Sequence, residues 1–201
     1  MASQANTRSP SRRKWLPLVL IVLIADAVGG WLYYRHWREH SQDAVIRTAA
    51  ARYGVDGALV KAVVWRESGF APAARGKAGE IGLMQIREPA AQEWAEAEHL
   101  AGFHHEHILD PGSNTLAGAW YLAKLLRRYP HTDDPVPYAL ADYNAGRGHV
   151  LRWNQGAAAT NSQQFLAQMT FPGTRRYIET VVQRRAWYGE EFQPTNAPPV
   201  R

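Results

Sequence analysis

The sequence predicts an all-α domain behind an N-terminal apolar segment. Three observations carry that reading. Between residues 41 and 190 the apolar residues follow helical spacing, and no stretch holds the strict alternation of a half-buried strand. Capping and breaking residues punctuate the chain at helix-length intervals. With 201 residues, 46% of them hydrophobic, the chain is large enough for one domain with its own core.

The first element is the apolar segment. Arg12-Arg13-Lys14 precedes an apolar run from Trp15 to Ile24, and apolar character resumes from Ala27 to Tyr34. As one segment, Trp15 to Tyr34 is long enough to span a bilayer, with Trp31, Tyr33, Tyr34 and Trp37 as an interfacial belt. Asp26 opposes this, at about 3 kcal/mol near a helix centre. As a cleaved signal, the apolar region ends at Ile24, and Ala25-Asp26-Ala27 has the small-x-small form of a cleavage site. Ser11-Arg12-Arg13 also has a faint twin-arginine character. The uncleaved anchor is favoured, because apolar and aromatic residues continue past that site. Both routes place the folded part outside the cytoplasm. The expected organisation is a basic segment over 1–14, an anchor or signal over 15–34, a domain over 41–190 and a disordered tail over 191–201.

Beyond the segment, helices are predicted over Asp43–Tyr53, Gly57–Ser68, Glu88–His99, Pro111–Tyr129, Pro137–Ala145, Gly148–Asn154, Gln163–Met169 and Thr174–Trp187. Asp56 is the expected N-cap of the second, and Gly69 and Pro72 end it. In the long fourth helix, Leu116, Trp120, Ala123 and Leu126 or Arg127 fall along one side; Pro130 and HTDDPVP close it.

Charge narrows the function classes. The net charge is +5 and the pI about 9.6. Six basic and two acidic residues precede Ser41, which leaves seventeen against sixteen in the remainder. The domain is nearly neutral, so electrostatic nucleic-acid binding has little support. The absence of cysteine excludes a thiol nucleophile, a disulfide framework and a lipid-modified N-terminal cysteine.

Glu67 is the one acidic side chain in a place that helix physics does not favour. Leu59, Val60, Val63 and Val64 form an apolar stripe, and Glu67 is its next position, in the last turn. Desolvation and the negative helix end both penalise its charge and raise its pKa, as a general acid working near neutral pH requires. The alternative is an ordinary helix with Glu67 exposed. A small-residue loop follows, Ala73 to Gly82, with Gly76, Gly79 and Gly82 allowing close backbone approach to a ligand. It leads into Leu83-Met84-Gln85-Ile86.

ESGF from Glu67, AGEIGLMQI from Ala78, ADYNAG over Ala141–Gly146 and FPGTRRYIETV over Phe171–Val181 occur in that order, with LDPGSNTLAGAWYLAKLL between the second and third. In series they resemble the motifs of the soluble, family 1 lytic transglycosylases (SLT domain), relatives of goose-type lysozyme. The resemblance covers roughly residues 41–188. It implies a lysozyme-like helical fold and cleavage of peptidoglycan between N-acetylmuramic acid and N-acetylglucosamine, with formation of 1,6-anhydromuramoyl ends.

Glu67 is then the catalytic acid and later base, and Ser68, Met84, Gln85, Tyr143, Asn144 and Tyr177 contact substrate. The Gln85 amide suits an acetamido sugar. Tyr143 would aim its phenol at Glu67, and Asn144 its amide at the substrate. Without the resemblance, a core tyrosine and a turn-forming asparagine are the favoured reading, and Tyr177 is either a helix-packing aromatic or a cleft-lining hydroxyl near the acid.

The N-terminal segment implies a periplasmic domain anchored in the inner membrane, or an exported one if the segment is cleaved. The expected partner is the glycan strand, with no nucleic acid, cofactor or metal. His104, His105 and His107 lack helical zinc spacing, and Gly102 argues for a solvated loop there. A hydrolytic muramidase and a non-catalytic wall-binding protein are the rival readings.

Two positions depart from the family pattern: Gly76, where a serine is common, and Glu80, where an alanine is commoner. Glu80 is either a solvated rim residue or a second carboxylate near Glu67.

Overall fold

The structure, a computed structural model, describes residues 12–192. Residues 1–11 and most of the expected tail lie outside them. The chain divides between His40 and Ser41 into two compact units.

The first unit contains one long helix, α1 (Arg12–His40), which runs on past the predicted end at Tyr34. Its 29 residues span about 43 Å at 1.5 Å per residue, more than the roughly 30 Å of a hydrocarbon core. Trp15, Leu20, Ile24, Leu32, Tyr33 and Trp37 are all exposed. By length and composition α1 can cross a membrane.

The second unit consists of α2 (Asp43–Tyr53), α3 (Gly57–Ser68), α4 (Glu88–Ala97), α5 (Pro111–Leu126), α6 (Pro135–Ala145), α7 (Arg147–Trp153), α8 (Ser162–Gln168) and α9 (Pro172–Tyr188), with 3-10 turns at His105–Leu109 and Gly156–Ala159. Among the described residues there is no strand, only isolated bridges that pair Ile81 with Arg75 and Ile86. The predicted all-α class is therefore what the chain adopts.

Local chemistry sets the ends. Asp56 accepts the Ala58 N–H at 2.9 Å, Asp134 the Val136 N–H at 2.9 Å, and Asn161 the Gln164 N–H at 2.9 Å. Gly69 closes α3 in the left-handed conformation. Helices α6 and α9 begin two residues earlier than predicted, each with a proline in its first turn, where the missing N–H has no intrahelical partner to lose.

Helix α5 is central and packs against α2, α4, α6 and the first 3-10 turn. Of the residues expected along one side, Ala123 is buried, whereas Leu116, Trp120 and Leu126 are only partly so; Thr115, Gly118, Ala119, Leu122 and Leu125 complete the buried face. Small residues win because neighbours on several sides must approach closely: a Cβ at Gly118 would overlap the Met84 sulfur.

Helix α3 lies against α9 and α2. Its fully buried Lys61 pairs with Asp43 at 2.9 Å and Glu191 at 2.6 Å, beneath the rings of Tyr188 and Phe192. Arg47 donates to the Glu191 carbonyl at 2.5 Å and stacks on Phe192. Glu191 and Phe192, assigned to the tail from sequence, thus belong to the fold, because a buried ammonium must be answered by charge.

Candidate active site

Helix α3 delivers Glu67 to the wall of a cavity of about 460 Å³. The seven residues Ala58–Val64 are all buried, so the helix is fixed along its length and its last turn has one orientation. Glu67 itself is partly buried, and its Oε1 accepts the Tyr177 phenol from α9 at 2.6 Å. Burial is the main cause that raises the Glu67 carboxyl above the ordinary carboxylate value. The Tyr177 hydrogen bond and the Arg66 guanidinium oppose it, and the charge of Glu80 reinforces it. Desolvation is the larger effect, so the carboxyl holds its proton more tightly than an exposed glutamic acid.

The loop facing Glu67 is tied down on all sides. Gly82 donates to the Ala74 carbonyl at 2.8 Å, and Ile81 and Ile86 exchange two backbone bonds at 3.2 and 3.1 Å. Fully buried Asn114 of α5 is its anchor. It donates to the Ile81 and Ile108 carbonyls at 2.9 and 2.8 Å and accepts the Met84 N–H at 2.7 Å. Gly82 has φ 79°, and any Cβ there would overlap the Asn114 amide. Gln85 is held in the left-handed region at φ 49°, a strained conformation for a side-chain-bearing residue, with its Nε2 on the Gly82 and Ala74 carbonyls at 2.8 and 3.2 Å.

Four of the seven sequence-predicted residues line the cavity: Glu67, Gln85, Tyr143 and Asn144. Tyr143 differs from expectation in its partner. Its hydroxyl donates to the Met84 carbonyl at 2.7 Å, and Tyr177 takes the place beside Glu67 instead. Burial drives both phenols well above their usual value, with the Glu67 charge adding to it, so both remain O–H donors. Asn144 Oδ1 accepts the Thr174 hydroxyl at 2.9 Å, which turns its NH2 into the group offered to a ligand.

The other three do not line the cavity. Met84 is fully buried in the core, so its part in the site is its backbone. Ser68 donates back to the Val64 carbonyl at 3.2 Å. Tyr177 reaches the site through Glu67.

Sequence reasoning missed Tyr121, Arg87 and Asp142, which also line the cavity. Tyr121 approaches Tyr143 with ring centroids 5.7 Å apart. Asp142 is 2% exposed and held by Arg128 at 2.5 Å and Tyr129 at 2.8 Å. An acid directly after the buried apolar stretch Tyr138–Ala141 was the available signal for it. His104–His107 is largely exposed, as expected of a solvated segment, but opens a 3-10 turn rather than an irregular loop. His107 Nδ1 accepts the His104 N–H at 3.2 Å, and the His105 ring meets the Ile86 carbonyl at 3.0 Å.

A buried helix of this all-α fold thus presents an acid to a cavity, with a phenol on the carboxyl and two amides on the cavity's wall. Residues 44–166 match the family model described as the Transglycosylase SLT domain, and the chain belongs to that family. It is 38% identical over 109 residues to membrane-bound lytic murein transglycosylase F of Desulfosudis oleivorans, which covers 53% of this chain and 22% of the relative. It is 35% identical over 121 residues to membrane-bound lytic murein transglycosylase C of Klebsiella pneumoniae subsp. pneumoniae, covering 57% and 34%. Among solved structures, an inactive mutant of the lytic transglycosylase Slt from Pseudomonas aeruginosa superposes with a TM-score of 0.67 at 25% identity, over 74% of this chain and 24% of that one. The 70 kDa soluble lytic transglycosylase of Escherichia coli shares the fold with a TM-score of 0.65, over 74% and 24%. The chain spans about a quarter to a third of the length of these relatives.

Proposed function

We propose that this protein is a peptidoglycan lytic transglycosylase whose single acid–base group is Glu67. The observation that carries this reading is the partly buried Glu67 carboxyl on the cavity wall, with its pKa raised by burial and the Tyr177 hydroxyl on Oε1 at 2.6 Å. Protonated Glu67 donates to the glycosidic oxygen between N-acetylmuramic acid and N-acetylglucosamine. As the C1–O bond breaks, the oxocarbenium-like centre is stabilised by the substrate's own N-acetyl group. Tyr177 stabilises the carboxylate left behind. Glu67 then recovers the proton from the muramoyl C6 hydroxyl, whose oxygen bonds to C1 and closes the 1,6-anhydro ring. No water is consumed, so no second catalytic carboxylate is needed.

Gln85 and Asn144 are placed to read acetamido groups. Tyr143 and Met84 act by fixing the Gly82–Ile86 backbone, and Ser68 completes the end of the acid's helix. We further infer that α1 tethers the domain to the inner membrane on its periplasmic side, with glycan strands as the partner. The names of the membrane-bound relatives support attachment to a membrane, and the basic residues before the apolar run support the orientation.

Mass spectrometry of muropeptides released from purified sacculi tests the reaction. Anhydro ends, lighter by one water than hydrolytic ends, are expected. Reducing ends would make the protein a muramidase, and no release would make it a wall-binding protein.

A further inference from the structure

A second carboxylate shares the cavity with Glu67. Glu80 lines it from the loop between α3 and α4. Its Oε2 accepts the Ala78 N–H at 3.0 Å, and its carbonyl accepts the Gly76 N–H at 2.7 Å. The side chain lies over Gly76. A Cβ at residue 76 would overlap Glu80 Oε2 and come within 3.0 Å of Gln85 Oε1. The missing side chain at 76 is what lets this carboxylate lie inside the loop beside the Gln85 amide. The two departures from the family pattern, a glycine at 76 and a glutamate at 80, are therefore one structural unit. Asp142, the third carboxylate of the cavity, is answered by the Arg128 guanidinium, whereas Glu80 is held by a backbone N–H.

We infer that Glu80 is a positioning residue that acts through Glu67: its negative charge, fixed on the Gly76 loop, keeps the catalytic proton on Glu67. This rests on the reading of Glu67 as the acid. A negative charge in the same cavity opposes ionisation of Glu67, and Glu80 adds in that direction to the larger effect of burial. The other groups facing Glu67 are Arg66 on its own helix, Tyr177 from α9 and Tyr143 from α6. Arg87, Tyr121 and Asp142 line the same space. Arg66 and Tyr177 favour the carboxylate form, so Glu80 offsets them. A groove without it would hold a stronger acid, ionised from a lower pH upward and idle as a proton donor once ionised.

Glu80→Gln removes the charge and keeps the shape. Titration of the Glu67 carboxyl stretch, read by infrared difference against Glu67→Gln with no substrate present, should move to lower pH in Glu80→Gln. The alkaline limb of kcat/KM on peptidoglycan should move the same way. Gly76→Ala, which displaces the Glu80 carboxylate, should shift the limb in the same direction alone and add nothing in the Glu80→Gln background. A Glu67 titration that stays in place in Glu80→Gln overturns the inference, and fully additive shifts overturn the part played by Gly76. Failure of the wild type to release product would defeat the enzymatic reading, while the infrared titration would still decide the role of Glu80.

Discussion

Tyr177→Phe removes one hydroxyl, and its effect can be worked from the geometry. The phenol donates to Glu67 Oε1 at 2.6 Å from a residue that is 2% exposed. While Glu67 is protonated, the bond is neutral and worth about 1 kcal/mol; once the proton has left, it is charge-assisted and worth about 1.5–3 kcal/mol. The difference, about 0.5–2 kcal/mol, is stabilisation gained only as the acid gives up its proton. Its loss should lower kcat by about two- to thirty-fold. The bond also favours the carboxylate, so without it Glu67 holds its proton to higher pH. The activity of a general acid fades as pH rises through its pKa, so the alkaline limb should move upward, opposite to the shift expected for Glu80→Gln. Initial rates of sacculus solubilisation across the neutral range measure both. A variant with wild-type rate and an unmoved limb, or with the limb displaced downward, would refute the reasoning.

Three further outcomes follow from the same contacts. Gly82→Ala combines a positive φ with an overlap on the buried Asn114 amide, and thermal unfolding should show a loss of about 2–4 kcal/mol. Glu191→Gln takes one of two charges from the buried Lys61, at about 1.5–3 kcal/mol. Adding Lys61→Met should recover most of that in denaturant titrations, because the stranded ammonium is gone. Glu67 has a folded pKa above the ordinary 4.5, so the unfolded chain ionises first and stability falls as pH rises from that value to the raised folded one. Glu67→Gln should therefore melt higher than wild type above that window, with the gap closing at lower pH; a constant gap would contradict the shift.

What the sequence made legible was local. Asp56 and Gly69 bracket α3 by capping chemistry that operates within a few residues, and the stripe from Leu59 to Val64 leads directly to Glu67. The all-α class followed from the same short-range periodicity. Partners brought together by topology were harder. For Tyr177 the sequence left a packing aromatic and a hydroxyl near the acid open, and only the fold, across 110 positions, sets its phenol on Glu67 Oε1 where Tyr143 was expected. Spacing placed Leu116, Trp120 and Ala123 on one side of α5 but did not say which residues are buried: a helix enclosed by several neighbours turns Gly118 and Ala119 inward and leaves Trp120 at the margin. Met84 looked available because its motif borders the groove, yet the backbone reversal that exposes Gln85 sends the methionine into the core. The apolar run before Asp142 signalled a buried acid, but its answering charge, Arg128, lies 14 positions away just past the end of α5, where only the fold brings it close.

The central claim is that the proton spent on the glycosidic bond comes from Glu67. Turnover of purified sacculi by Glu67→Gln, with folding verified by far-UV circular dichroism, tests this most directly. The account predicts a loss of about a hundred- to ten-thousand-fold, the usual worth of a positioned general acid. A variant that keeps more than about a tenth of the wild-type rate, well outside that range, would contradict it.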